Sequence, residues 1–421
     1  MYKVLYNLLA KFFFNHKFNI ITISIINFII AMYFFQSREL MSEFLVVNTI
    51  DLNYNLAAFE WMGLYYYDNQ PYTSLLGFQG LIFSISSFIG IQPSESMFYI
   101  YIFINTMFFN WLLYSIFILL KNKYNILSSL LFILPFLVST FYWFDSGNLY
   151  WMYSFFILPF FISMKYYGNV KFKYLLLMLF ISFLIKFSFG FEYIILVVIS
   201  AFIPIIIDDF SSITSQLKKI FTVGIISIIA FLLIFSKLSY NVSSLHPEKN
   251  NLKELINSYV VGGDNEPHFL KYDNYRFSKY EMYGKFINSK KNEDGLTDNK
   301  WSRVIEHRKS YKNYSSLLGY FNFNSKKAMY YTLQLSVSLF FLFLITFFGL
   351  KNKNLRRFIF ASWISLLGAV VWILIMPIHF YLHSIVWRGV SDIIFLFPFY
   401  SILGLLVGQF LNEYQLSIKN C

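Results

Sequence analysis

Residues 97–120 read MFYIYIFINTMFFNWLLYSIFILL, a stretch without a single charged side chain. A helix needs about 20 predominantly apolar residues to cross the hydrocarbon core of a bilayer. The rest of the 421-residue chain has the same character, because 57% of its residues are hydrophobic and only 13% are charged, whereas a soluble domain has about a quarter charged. The composition excludes a soluble globular protein and predicts an all-α polytopic membrane protein.

Ten apolar stretches follow one another along the chain. The predicted spans are 18–35, 97–120, 126–144, 149–164, 174–189, 191–207, 220–236, 329–350, 357–376 and 392–411. The predicted parts are a cytoplasmic lead (1–17), a first span (18–35), an outer loop (36–96), a six-span bundle (97–236), a large outer loop (237–327), a three-span bundle (328–411) and a cytoplasmic tail (412–421). The stretch 74–90 is interpreted as an interfacial helix, since counting it as a span would place Lys121 and Lys123 outside.

The charges of the loops predict the orientation of the chain. Alternate connections, together with the two terminal segments, hold fifteen Lys and Arg residues but only three acids, Asp208, Asp209 and Glu413, and cations are retained on the cytoplasmic side. Both termini are therefore predicted to be cytoplasmic. The abundance of Phe, Tyr, Ile, Asn and Lys is typical of an AT-rich genome, and the predicted location is the cytoplasmic (inner) membrane of a bacterium. The Asp208-Asp209 pair is interpreted as a solvated turn. The same rule explains the net charge of +12. We therefore expect the chain to contact membrane lipids and to have no nucleic-acid partner.

The first outer region contains Asp51-Leu-Asn-Tyr54, then Gly63, three tyrosines and Pro71, and the interfacial helix ends in Phe88-Ile-Gly90. This region resembles the first outer loop of the GT-C glycosyltransferases, in particular of the aminoarabinose and protein mannosyl transferase branches. These integral membrane enzymes take sugar from a polyprenyl-linked donor. The resemblance covers only this region, and the doubled proline of those branches is here a single Pro71. It implies a GT-C-like fold and a reaction on the external face.

Two acids of this region are candidate catalytic residues. Sugar transfer to a hydroxyl needs a general base, and a carboxylate favours an oxocarbenium-like transition state, so Asp51 could serve both needs. The alternative is that Asp51 is the N-cap of a helix over 52–62. Asp68 is a candidate second acid or ligand of a divalent cation, but Asp68-Asn-Gln-Pro71 is also good turn chemistry. No organic cofactor is predicted.

Lys186 and Glu192 form a second candidate site at the outer ends of two adjacent short spans. Ionisable residues at membrane depth are expensive and default to a functional or paired role. Lys186 could hold the phosphate of the donor, with Glu192 orienting the lysine. The alternatives are a salt bridge between the two residues and a lysine that extends to the outer headgroups.

A third candidate site precedes the last span. His379 and His383 are four residues apart, and Arg388 follows in Trp387-Arg388-Gly389. The two histidines share one helical face, and an arginine can bind a phosphate with two parallel hydrogen bonds, so the stretch could hold a pyrophosphate leaving group. A zinc site is disfavoured, because no third ligand follows at a suitable spacing. The sequence therefore predicts no resident metal here.

Three short motifs form a second resemblance. Asn148-Leu-Tyr-Trp151, Gly190-Phe-Glu-Tyr193 and His379-x-x-x-His383 are similar to stretches in multispanning proteins of bacterial O-antigen and capsule loci. The predicted function is thus an integral membrane glycosyltransferase that uses a polyprenyl-linked sugar donor and a glycan or lipid-linked acceptor. The alternatives are a repeat-unit polymerase and, from another class, a transporter or flippase of lipid-linked saccharides.

Overall fold

The computed structural model describes residues 16–37, 66–67, 70–71, 95–139, 142, 153–190, 193–209, 211–245, 326–375 and 392–419. The helices are α1 (His16–Ser37), α2 (Glu95–Lys123), α3 (Ile126–Val138), α4 (Tyr153–Tyr166), α5 (Phe172–Phe189), α6 (Ile194–Asp208), α7 (Ile213–Leu245), α8 (Lys326–Gly349), α9 (Lys353–Ile375), α10 (Asp392–Phe395) and α11 (Ser401–Lys419). A π-helical turn, Leu396–Tyr400, joins the last two. Strands β1 (Tyr66–Tyr67) and β2 (Gln70–Pro71) pair antiparallel. Each predicted span overlaps at least one of these helices, which confirms the helical fold class.

Four segments within the described residues are long and apolar enough to cross a membrane. They are Ile100–Lys123, Phe172–Phe189, Ile213–Lys237 and Lys353–Ile373. Shorter apolar helices include α3, whose 13 residues rise only about 20 Å against a hydrocarbon core of about 30 Å. The fold is therefore that of an α-helical protein with several candidate membrane spans, and the number of ten crossings stays a prediction.

The chain divides into two compact units. The first contains Met1–Leu238, Gln334–Val371 and Asp392–Cys421, and the second contains Ser239–Leu333 and Trp372–Ser391. In the second unit the described residues are only the ends of α7, α8 and α9. The interfacial helix predicted at 74–90, the lead 1–15 and the loop residues 246–325 lie outside the described residues.

Glycines allow α11 to pack closely on α3 in the first unit. A Cβ atom at Gly408 would collide with the backbone of Ser128, and one at Gly404 would collide with the carbonyl of Leu131. Small residues four apart let two helix backbones approach, which is a common way for helices to associate in membranes. Gln409 Nε2 also donates a 2.8 Å hydrogen bond to the Ser128 hydroxyl. The close contact fixes the last helix against the bundle.

The core around the π-helical turn is aromatic. Phe397 has the non-helical backbone angles φ −139° and ψ 130° and is fully buried. Its ring centroid lies 5.4 Å from that of Phe160 and 5.7 Å from that of Phe156. The rings of Phe132 and Phe136 follow at 6.4 Å and 6.1 Å. The interruption of the last helix is thus filled by apolar rings, whose edge and tilted contacts are favourable.

Candidate functional site

Lys186 is the one predicted site residue that the described part of the chain contains. Asp51, Asp68, Glu192, His379, His383 and Arg388 lie outside the described residues. For Asp68, the structure describes the paired residues Tyr67 and Gln70 on either side. The candidate site is therefore built from Lys186 and the backbone that follows it.

Lys186 lies in the last turn of α5, and its side chain is almost completely enclosed by protein. Only 2% of the residue is exposed, and Nζ donates a hydrogen bond to the carbonyl oxygen of Gly190 at 3.2 Å. Phe183, Phe187 and Phe189, in the same part of α5, are completely buried. A lysine that extends to the headgroups keeps its charged end exposed, so the burial of Lys186 is inconsistent with that alternative.

The backbone after Lys186 is strained where α6 begins. Tyr193 caps α6 in the left-handed conformation, with φ 63° and ψ 21°, and only 1% of this residue is exposed. A bulky residue in this conformation costs about 1–2 kcal/mol, and such costs are concentrated at functional sites. The strained residue Tyr193 directly follows Glu192 in the sequence.

The opposite end of α6 carries the Asp208-Asp209 pair, and the interpretation of this pair as a solvated turn is wrong. Asp208 forms a salt bridge with Lys123 and accepts a 2.7 Å hydrogen bond from the Tyr124 hydroxyl. Burial raises the pKa of Tyr124 well above its usual value, and the charge of Asp208 adds to the effect. The Asp208 carboxylate therefore joins the end of α2 to the end of α6.

Asp209 is also paired, and only 5% of it is exposed. Lys219 Nζ lies 2.8 Å from its carboxylate and also donates to the Tyr167 hydroxyl at 3.1 Å. Burial acts to raise the pKa of Asp209, but hydrogen bonds from Lys219 and Ser211 outweigh it and hold the pKa well below its usual value. Both carboxylates of the pair are therefore bound to lysines.

Lys186, at the end of α5, and the acid pair lie towards opposite ends of α6. α6 has 15 residues and is therefore about 22 Å long. Lys186 bonds to Gly190 just before α6 begins, whereas Asp208 and Asp209 end it. The described salt bridges and the buried lysine thus lie at different ends, which is the arrangement that the loop charges predict.

A polar network inside the first unit was missed by the sequence reasoning. Tyr142 Oη donates to the Asn110 side-chain oxygen at 2.7 Å, and Asn110 Nδ2 donates to the Ser24 hydroxyl at 3.1 Å. Asn27 Nδ2 donates to the Tyr142 carbonyl at 3.2 Å. The available signal was two asparagines, Asn27 and Asn110, inside otherwise apolar spans, where side-chain hydrogen bonds join helices.

The described residues contain no group of three or more His, Cys, Asp or Glu side chains that could hold a metal ion. At the end of α5, this part of the chain offers a buried ammonium group, that of Lys186. Comparisons of the chain with protein-family models, with curated proteins and with solved structures gave no match.

Proposed function

We propose that the protein is an integral membrane glycosyltransferase. It moves a sugar from a polyprenyl-phosphate-linked donor to a surface polysaccharide or lipid-linked acceptor on the external face of a bacterial cytoplasmic membrane. The observation that supports this proposal is Lys186, a buried ammonium group in the last turn of the apolar helix α5. A charge at such a depth is costly and is kept where it binds an ion, a substrate or a partner.

The reaction assigns one task to each candidate residue. The acceptor hydroxyl oxygen attacks the anomeric carbon, and its proton passes to the Asp51 carboxylate. The bond between the anomeric carbon and the donor phosphate oxygen breaks, and the phosphate leaves with the electron pair. Lys186 stabilises the leaving phosphate as a point charge, and Arg388 binds it with two hydrogen bonds. Glu192 orients Lys186.

The remaining candidates have supporting tasks in the same proposal. Asp68 is a second acid or a ligand of a divalent cation near the donor. His379 and His383 donate hydrogen bonds to the phosphate of the leaving group. The GT-C resemblance of the first outer region supports the role of Asp51, because an acid opens that loop in the related branches.

The proposed topology has about ten crossings with both termini in the cytoplasm. It is supported by the overlap of each predicted span with a helix and by the position of Lys186 at the end of α6 opposite Lys123 and Lys219. The donor site then faces outward, and the lysine-rich connections Lys165–Lys173 and Lys218–Lys219 face the cytoplasm.

A transporter or flippase of lipid-linked saccharides is the second candidate, because the last helix is interrupted at Phe397. Interrupted helices line the substrate sites of many transporters. Here the interruption is packed with the rings of Phe132, Phe136, Phe156 and Phe160. An apolar filling offers no polar path for a saccharide, so the glycosyltransferase stays the first candidate.

Mass spectrometry of the surface glycan and of the lipid-linked intermediates tests the proposal. Cells that lack the protein are complemented with the wild type or with Asp51→Asn at equal expression in the membrane. The proposal expects the wild type to restore one missing sugar and Asp51→Asn to leave it missing. Restored chain length without a change in sugar composition would instead identify a repeat-unit polymerase. Full restoration by Asp51→Asn, with complete lipid-linked units accumulating in the deleted cells, would favour the flippase.

A further inference from the structure

A second charged surface lies far from Lys186, at the connection between α4 and α5. We call it the basic hairpin and define it by Lys165, Lys171 and Lys173. All three lysines are exposed, and the sequence has no Asp or Glu from residue 146 to residue 191. Three cations within nine residues therefore create a positive field that no acid of the same segment cancels.

Asp209, which Lys219 links to the basic hairpin, does not neutralise this field. Tyr167, inside the basic hairpin, accepts a hydrogen bond from Lys219, and Lys219 holds the carboxylate of Asp209 at 2.8 Å. The charge of Asp209 is thus already balanced by one lysine. Lys218, next in sequence to Lys219, is exposed and adds another cation close to the basic hairpin.

Aromatic rings support two of the three lysines. The Nζ atom of Lys165 lies 5.4 Å from the ring centroid of Phe161 and 5.2 Å from that of Tyr166. The Nζ atom of Lys173 lies 5.1 Å from the ring centroid of Tyr174. Cation–π contacts at these distances restrict long side chains, so less conformational entropy is lost when an anion binds.

An apolar strip continues from the basic hairpin along α5. Tyr174, Leu177 and Ile181 are 52%, 55% and 47% exposed. Their spacing of three and four residues places them on one helical face. A ligand that binds the lysines can therefore extend along exposed apolar side chains of the same helix. This combination fits a molecule with an anionic head and a hydrocarbon tail.

We propose that the basic hairpin binds the headgroup of an anionic phospholipid, with the acyl chains along Tyr174, Leu177 and Ile181. A soluble anion could use the lysines but would gain nothing from the apolar strip. Each lysine near an anionic surface contributes about fivefold in affinity, so three contribute on the order of a hundredfold. This interaction is independent of the proposed sugar transfer.

Native mass spectrometry of the full-length protein in a non-ionic detergent measures whether the protein prefers an anionic to a zwitterionic phospholipid. The protein is titrated with short-chain phosphatidylglycerol and, in parallel, with phosphatidylcholine of the same chain length. The test variant is Lys165→Gln/Lys171→Gln/Lys173→Gln, and a charge-keeping variant changes the same lysines to Arg. The matched control, Lys351→Gln/Lys353→Gln/Arg356→Gln, removes three exposed cations from the α8–α9 connection and the start of α9. Size-exclusion elution verifies that each variant is folded.

The wild type is expected to prefer phosphatidylglycerol, and the Gln variant of the basic hairpin to bind it at least tenfold more weakly. The Arg variant and the matched control should keep the preference, and excess glycerol phosphate should not compete. Unchanged binding by the Gln variant would overturn the proposal. Equal loss in the matched control, or effective competition by glycerol phosphate, would also overturn it, because either result reports net charge or a soluble anion.

Discussion

The Nζ atom of Lys186 donates a hydrogen bond to the carbonyl oxygen of Gly190, 3.2 Å away. Only 2% of Lys186 is exposed. Lysine side chains near a helix C-terminus commonly satisfy its last carbonyl groups and interact well with the helix dipole. Such a lysine usually stays in water, whereas this one is enclosed by protein. Lys186 thus has two roles to distinguish, as a cap of α5 and as a preorganised positive charge.

Replacement of Lys186 separates these two roles. Lys186→Met keeps much of the volume and removes the charge, and replacing a buried charge by an apolar side chain is often close to neutral for stability. We expect binding of a polyprenyl monophosphate probe to weaken by about tenfold to a hundredfold, as for loss of one charge-assisted hydrogen bond. Lys186→Arg should keep most of the binding, as measured by native mass spectrometry.

Lys351→Met, at an exposed position, is the matched control for this experiment. It should bind the probe like the wild type. If Lys186→Met binds the probe normally but melts at a lower temperature, Lys186 only caps its helix and has no part in donor binding.

The Asp209–Lys219 pair predicts a pH-dependent stability. The folded-state pKa of Asp209 is held below its usual value, so the stabilisation is complete above the unfolded pKa of about 4 and is lost progressively as the pH falls from there towards the lower folded-state pKa. At pH 7, Asp209→Asn should lower the free energy of unfolding by about 1–3 kcal/mol. The difference between wild type and variant should shrink between pH 5 and pH 3, measured by thermal unfolding in detergent. A difference that stays constant across this range would contradict the pairing.

Close contact between α3 and α11 predicts an unusual sensitivity to one methyl group. Gly408→Ala places a Cβ atom against the Ser128 backbone, which cannot move like a side chain, so we expect a loss of about 1–3 kcal/mol or more. The matched control is Gly224→Ala in α7, where a new Cβ atom would lie 3.9 Å from the Phe202 ring. That change should be neutral or slightly stabilising, since alanine favours helix. Equal melting temperatures of the two variants would show that α11 does not approach α3 so closely.

The buried polar network predicts a coupling between Asn110 and Tyr142. Each hydrogen bond of this kind inside a membrane contributes about 0.6 kcal/mol on average and up to about 1.7. Asn110→Leu removes the acceptor of Tyr142 and the donor to Ser24, so a loss of about 1–2 kcal/mol is expected. A double-mutant cycle with Tyr142→Phe should give a positive coupling energy. Strict additivity would mean that the two side chains do not interact.

The helices could be predicted from sequence because apolar length alone identifies them, whereas their ends could not. The span predicted at 220–236 lies inside α7, which runs from Ile213 to Leu245, because a helix continues beyond its apolar part when its polar residues are solvated. The span predicted at 126–144 exceeds α3, which ends at Val138, where Ser139 adopts an extended conformation. Hydropathy does not encode these ends.

The side-chain partners were harder to predict than the helices. Lys186 was identified because a charge in an apolar run is conspicuous, but its burial depends on tertiary packing, which the apolar run does not encode. Asp208 was misinterpreted because its partner Lys123 is 85 residues earlier in the chain. Asn110 was overlooked since an uncharged amide does not interrupt an apolar run, and its partner Ser24 lies 86 residues away.

Sugar transfer itself can be measured with the purified protein in liposomes. The substrate is the lipid-linked fraction and the glycan fraction from cells that lack the protein, and the readout is the mass of every polyprenyl-linked species. With the wild type, we expect one lipid-linked sugar to disappear while its polyprenyl phosphate appears and the glycan gains that sugar, whereas Asp51→Asn leaves all species unchanged. If the wild type also leaves all species unchanged, the protein is not the proposed glycosyltransferase, whereas transfer by both proteins would contradict the role of Asp51.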